Sequence, residues 1–582
     1  MLRRRKGSRE ADTWLSDAQL AQCARADEAA IFHSPVPTRM ISNGEYLPVP
    51  QTVEQQRVEA RIQELATASA KKLGMSRRQF LASTGGLAAA FLAMNEVFGR
   101  FFHVDPIELF EPAAFAANGA PANLFVLDDQ LHLVRSSIGT DQMALRAIAQ
   151  GPTAMVSGVP ANPFNPEDLP DELGDPWTPW NPALIGLPIT PEIFHLVPFI
   201  KDVYLDSQVT VGLLSNVTSF VPGFVPPDLQ PPKNIQEAQA VEILTAAQTV
   251  GVRNFVNQLA GSPRLLAHGL LYVGVGNLDF IQYQIEVLQP DAWKGYNITF
   301  AAKVDLDPDS PMQQWRLDDE AVAYPTYERI SQHQAAHQQT QPGFGNICVH
   351  KGLAPVPPDT PEQGNPTDIP KAATDWPNLN FIIYHSAIQP LIFMFDALQE
   401  IRSGVLRNGV PDIRWTTQFA QLAQPFPNVY AELGTTFAST VITFPTVTAH
   451  LLGQLLTFMG PARILFGSDS VWYGSPQWQI EAFWRFQIPD AMREQYHYPA
   501  LTEAAKRLIL GLNAAELYGV RPTPGVYQPV PADYEAQIPD DLKTLLEFPG
   551  FTADNLSTIR TAYQALGAQP SHTRYGWIRT RG

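Results

Sequence analysis

Eight short apolar, β-rich runs recur along the middle of this 582-residue chain, each followed by a loop and a helical stretch. No other feature limits the possible folds as much. The runs lie at 123–133, 209–216, 264–274, 293–301, 346–353, 380–387, 428–434 and 463–470. Continuous apolar runs indicate strands buried on both faces, as in a parallel sheet covered by helices. Helical periodicity falls between them, at 236–259, 278–289, 319–339, 389–403, 414–424, 445–459 and 476–487. Eight β–α alternations predict an α/β fold, a (β/α)8 barrel of the TIM type. A doubly wound sheet is the alternative, but it usually has fewer strands, and no GxGxxG follows the first run.

The length alone would suit roughly three to four domains, or one large barrel with extensions. Proline favours the second reading. Of 52 prolines, eleven fall between 152 and 198, after the first run, and seven between 355 and 377, after the fifth. Both clusters follow strands, which predicts long, stiff βα loops over one end of the barrel that lose little entropy on ordering. Six more lie in 522–549. The expected layout is a polar extension over 1–74, a linker segment over 75–120, the barrel over 121–520 and a C-terminal extension over 521–582 that packs on the barrel or on a second subunit of a homodimer. Further helices are expected at 12–30, 52–73 and 553–567.

Charge excludes one class of partner. The first hundred residues hold 14 Lys/Arg against 10 Asp/Glu, and the rest hold 26 against 47. An acidic body offers no basic surface to release counterions from phosphates, so no nucleic-acid partner is expected. The two cysteines, Cys23 and Cys348, support neither a disulfide framework nor a cysteine-based zinc site.

The polar residues on the predicted strands cluster. Asp128, Gln130 and His132 repeat at period two on the first strand, which puts them on one face. His350 lies near the carboxyl end of the fifth strand, His385 near that of the sixth and Asp469 near that of the eighth. Barrel active sites form where these ends converge. Two or three histidines with an aspartate there have the composition of a metal site. A lone histidine at a strand end is more often structural, but four such residues on four strands are hard to explain by packing.

These residues resemble the metal-dependent amidohydrolase superfamily, in its amidohydrolase-related branch, over about 123–520. That branch includes aminocarboxymuconate semialdehyde decarboxylase, aromatic-acid decarboxylases and some lactone hydrolases. Its opening strand carries D-x-H-x-H, here Asp128-Asp129-Gln130-Leu131-His132, and its eighth strand carries the R-I-L-F-G-S-D found complete at 463–469. The resemblance implies one divalent ion, zinc by expectation, held by His132, His350 and Asp469, with His385 as catalytic acid/base. Gln130 departs from the pattern, and an uncharged amide is a poorer ligand than imidazole. It could bind weakly, bind through water, or mark a site that has lost its metal.

Three functions follow. The first is hydrolysis of a small lactone, amide or similar substrate by metal-activated water. The second is non-oxidative decarboxylation of an unsaturated or aromatic acid at the same site. The third is an inactive binding barrel. Lys294 could reach the mouth, but reads first as a solvated residue at a strand start. Lys351 reads as structural, and Glu432 as support for a histidine or as a paired buried carboxylate. Arg316, Asp318 and Asp319 read as a helix start. His268, His333, His337, His450 and His497 are assigned to structure or surface.

The stretch Ser76-Arg77-Arg78-Gln79-Phe80-Leu81 resembles the twin-arginine export motif. A weakly apolar run and the small residues at 113–117 follow it. The resemblance implies export to the periplasm, with any membrane contact confined to residues 80–99. A cytoplasmic protein is the alternative, because the motif lies unusually deep in the chain.

Overall fold

The computed structural model describes residues 34–41, 51–121, 123–135, 194–217, 232–260, 262–297, 314–352, 362–389 and 394–520. Within them lie eight parallel strands: β1 (Leu127–Leu131), β2 (Val211–Leu214), β3 (Leu265–Leu270), β4 (Ala292–Tyr296), β5 (Asn346–His350), β6 (Asn380–Tyr384), β7 (Val429–Glu432) and β8 (Ile464–Leu465). They pair in sequence order. The ring closes through the residues after β8. Asp129 N–H donates to the Phe466 carbonyl (2.9 Å) and Asp469 N–H to that of Gln130 (3.1 Å), and Leu131 bridges in parallel to Ser470. The fold is therefore the expected (β/α)8 barrel.

Each strand lies within, or one residue outside, its predicted run, but is shorter. Leu127, Val211, Leu213, Leu266, Ala292, Cys348, Ile382 and Leu465 fill the barrel interior, closed below by Ala514, Leu517 and Tyr518 of the final described helix. This plug closes the amino ends of the strands, and barrel active sites form at the opposite, carboxyl ends.

Before the barrel, among the described residues, stand four α-helices, α1 (Val53–Leu73), α2 (Arg77–Leu81), α3 (Thr84–Phe98) and α4 (Pro112–Asn118). The segment resembling an export motif has a structural task here. Ser76 and Gln79 form a reciprocal capping box that starts α2, with Ser76 Oγ accepting from Gln79 N–H (3.2 Å) and Gln79 Oε1 from Ser76 N–H (3.0 Å). Phe80, Leu81, Ala88, Ala89, Ala90, Phe91, Ala93 and Met94 are buried within the protein. Among the described residues no helix is long and apolar enough to cross a membrane.

This helical layer is bolted to the barrel. Gln55 Nε2 donates to the Thr443 carbonyl (3.0 Å), and Phe102 bridges antiparallel to Phe486. Fully buried Arg485 pairs with Glu108 (2.7 Å) and Glu481 (2.5 Å) and donates to the Phe115 carbonyl (2.9 Å).

The proline-rich cluster at 152–198 falls largely outside the described residues, as do Pro355, Pro357, Pro358 and Pro361 of the second cluster, whereas Pro366 and Pro370 open the short helices Pro366–Asp368 and Ile369–Asp375. Cys23, the helices expected at 12–30 and 553–567, and the extension 521–582 also lie outside the described residues.

Candidate metal centre at the mouth of the barrel

Four strand ends bring the predicted residues together. Gln130 and His132 follow one another along β1 and its exit, His350 ends β5, His385 follows β6 and Asp469 follows β8. All five are buried. The expected single face of Asp128, Gln130 and His132 is broken by a register shift between Asp128 and Leu131. Asp128 turns away from the cluster, its Oδ1 accepting from the backbone N–H groups of Ser468 (2.9 Å) and Gln130 (3.2 Å). It ties β1 to the loop that carries Asp469.

His132 Nε2 lies 3.0 Å from Asp469 Oδ1 and 3.2 Å from the Gln130 amide nitrogen. On the other side of the ring, Nδ1 lies 3.2 Å from the Ser215 carbonyl. Burial holds the His132 pKa below its ordinary value, against the opposing influence of Asp469. A neutral imidazole has one N–H and cannot satisfy acceptors at both nitrogens. One N–H serves either the Ser215 carbonyl at Nδ1 or Asp469 at Nε2, and the nitrogen left over needs an ion or a second proton. Burial alone would raise Asp469, but the hydrogen bond and charge of His132 hold it below the usual carboxylate range.

His385 and Asp469 both adopt left-handed backbone, with φ of 58° and 56°. Non-glycine residues rarely do so except where surrounding contacts impose it, and such sites are often functional. The contacts at His385 are explicit. Its N–H donates to Glu432 Oε2 (3.0 Å), its carbonyl accepts from Thr436 Oγ1 (2.5 Å), and Ser386 Oγ donates to the Glu432 carbonyl (2.8 Å). Its Nδ1 accepts from Thr435 N–H (3.1 Å), and Nε2 lies 3.2 Å from His350 Nδ1. Burial drives the His385 pKa down to about 3, so the ring is neutral at ordinary pH. The His350 ring in turn stacks on Tyr296, with centroids 4.2 Å apart.

The centre thus has two halves: His132, Gln130 and Asp469 on one side, His350 and His385 on the other. Among the described residues no group of three or more His, Cys, Asp or Glu is arranged to hold a metal. A set including the Gln130 amide still fits a divalent ion. Ligand atoms about 2.1 Å from an ion stand about 3.0–3.4 Å apart. The His132–Asp469 contact of 3.0 Å and the His132–Gln130 contact of 3.2 Å fall in that range. Gln130 Oε1 is buried with no hydrogen-bond partner, and turning the amide over would present it to an ion. His132 also gives its second nitrogen to a backbone carbonyl, as metal-ligating histidines do. His350, expected as a ligand, lies with Nδ1 3.2 Å from His385 Nε2.

Several other expectations change. Lys294 is not solvated. It is fully buried inside the barrel, 3.2 Å above the Tyr384 ring centroid. Glu432 supports the backbone of His385 and not a ligand imidazole, and burial raises its pKa well above the ordinary carboxyl value. His268 adjoins the site, with Nδ1 2.8 Å from Oγ of Ser215, the residue whose carbonyl faces His132. Lys351 is structural as expected, in a buried pair with Asp368 at 2.9 Å. Thr435 and Tyr473 were missed. Their only sequence signal is position after β7 and β8, and hydroxyls there are common.

A (β/α)8 barrel with histidine, amide and aspartate gathered at its carboxyl-terminal mouth is the architecture of an enzyme. In sequence, residues 298–520, from the connection after β4 to the last described residue, match the amidohydrolase family. No curated protein matches the chain. Among solved structures, 5-carboxyvanillate decarboxylase from Sphingomonas paucimobilis is 12% identical, aligns over 68% of this chain and 100% of its own, and gives a TM-score of 0.35. A 2,6-dihydroxybenzoate decarboxylase from Rhizobium is 14% identical over 68% and 98%, with a TM-score of 0.33. A dihydroxybenzoic acid decarboxylase from Polaromonas sp. JS666, with bound manganese and 2-nitroresorcinol, is 13% identical over 70% and 100%, at 0.34. Likeness at this level carries no argument about chemistry.

Proposed function

We propose that this chain is a metal-dependent enzyme that removes carbon dioxide from a small unsaturated or aromatic carboxylic acid. The disposition of ring protons carries this reading. His385 Nδ1 is occupied by Thr435 N–H, so the neutral ring keeps its proton on Nε2 and has no lone pair with which to deprotonate water. A proton taken up from solvent turns the His385–His350 pair into an imidazolium that can serve as the proton donor, since a neutral imidazole would leave an imidazolate. In decarboxylation the bond between carbon and carboxylate breaks, its electron pair stays on carbon, and a proton from this pair completes the C–H bond while solvent restores the donor.

His132, Asp469 and Gln130 would hold a divalent ion, zinc or another that accepts nitrogen and oxygen ligands. When bound, such an ion would supply positive charge beside the substrate oxygens. Burial excludes water and strengthens each electrostatic contact in the site.

Hydrolysis of a lactone or amide stands as a second reading, favoured by the amidohydrolase match over 298–520. The two separate in one experiment. Protein reconstituted with zinc or manganese is offered a panel of aromatic and unsaturated acids, with headspace carbon dioxide measured, and a panel of lactones and amides, with acid release measured. Carbon dioxide from the first panel supports decarboxylation. Acid release from the second alone moves the assignment to hydrolysis. Turnover of neither panel by ion-loaded protein contradicts both.

A further inference from the structure

We propose that Thr435 is a positioning residue that sets the hydrogen-bond polarity of the His385–His350 pair through its backbone N–H and orients Asp469 through its hydroxyl. Thr435 lies in the first turn of the helix Gly434–Thr440, where a backbone N–H has no intrahelical carbonyl to bond. That N–H takes His385 Nδ1 as acceptor at 3.1 Å. A backbone N–H can only donate, so the direction of this bond is unambiguous.

The rest follows by elimination. A neutral His385 ring that accepts at Nδ1 carries its proton on Nε2, which faces His350 Nδ1 at 3.2 Å. His350 then accepts at Nδ1 and carries its own proton on Nε2. In this arrangement His350 would have to give up its Nε2 proton or its contact with His385 before it joined a ligand set. On its other side Thr435 spends its hydroxyl proton on Asp469 Oδ2, and Tyr473 OH donates to Thr435 Oγ1 at 3.0 Å. One residue thus ties the donor half of the site to the ligand half.

This deepens the proposed function, but its histidine half is read without metal or substrate. Protein labelled with 15N at histidine, with His385→Gln and His350→Gln used for assignment, should show both rings neutral and protonated at Nε2. A proton on Nδ1 of His385 overturns the proposal. Thr435→Val keeps the N–H and removes the hydroxyl. It should leave the histidine signals in place and weaken binding of zinc alone, measured by calorimetry, by about 10- to 100-fold. Thr435→Ser should restore the affinity. Wild-type affinity in a folded Thr435→Val protein overturns the hydroxyl half. Should wild-type protein bind no ion at all, the metal-dependent reading falls, and the wild-type histidine spectrum still decides this one.

Discussion

His132 Nε2 and Asp469 Oδ1 meet at 3.0 Å inside the mouth of the barrel, while Nδ1 of the same ring lies 3.2 Å from the Ser215 carbonyl. With the one proton of a neutral ring on Nδ1, Nε2 and the carboxylate require a cation between them. Asp469→Asn supplies an amide N–H to the same nitrogen. We predict a protein that melts close to the ion-free wild type and no longer retains a divalent ion, as elemental analysis after loading and desalting would show. Retention at wild-type stoichiometry would remove Asp469 from the ligand set.

Gly434 is required by both halves of the centre. Its φ is 35°, and a Cβ there would lie 2.6 Å from both Gln130 Oε1 and His385 Nδ1. Gly434→Ala should cost about 1–3 kcal/mol in denaturant unfolding, as overpacking does. Loss of ion retention should exceed what that destabilisation explains. Unchanged stability and ion retention would mean that the loop gives way freely.

Burial pushes the Asp129 carboxyl up to about 8, despite the nearby Tyr518 hydroxyl and Lys294 ammonium. A folded-state pKa above the unfolded value near 3.9 means that the native state binds the extra proton. The stabilisation is therefore full below about pH 4 and lost as pH rises through 8, by up to about 1.4 kcal/mol per unit. Asp129→Asn removes this contribution. Melting temperatures from pH 5 to 8 should fall less steeply with rising pH in the variant than in the wild type. Parallel curves would place the carboxyl in a better-solvated setting.

The helical layer before the barrel is predicted to stay with the working protein. Arg485 is fully buried, and Glu108, Glu481 and the Phe115 carbonyl surround its guanidinium. Removing one partner of a buried pair costs about 3–5 kcal/mol. Glu108→Ala should lose about that much in urea unfolding, and Glu108→Gln less. Intact mass of protein recovered from its native cells should retain residues 51–120. A mature N-terminus near residue 118 would contradict this.

Much of this architecture was legible because a parallel barrel strand is apolar on both faces. The eight runs therefore announced themselves, and the histidines and aspartate stood out against them. Partner choice was less legible. His350 and Lys294 sit at the expected strand positions, yet His350 pairs with His385 and Lys294 is buried over Tyr384. Those outcomes depend on how neighbouring strands and loops fill the interior. The shift in β1 that turns Asp128 toward Ser468 depends on the closure of β1 against the loop after β8, which a period-two pattern cannot express. Ser76 and Gln79 carried two readings at once, because an export-like motif and a capping box share the same spacing.

The central claim is that His132, Gln130 and Asp469 hold an ion while His350 stands apart with His385. A crystal structure of the zinc-loaded protein, with diffraction measured on both sides of the zinc absorption edge, tests it most directly. The account predicts one anomalous peak in contact with His132 Nε2, Asp469 Oδ1 and the Gln130 amide oxygen, with His350 Nδ1 still facing His385. No peak at the mouth, or a peak bound by His350, would contradict it.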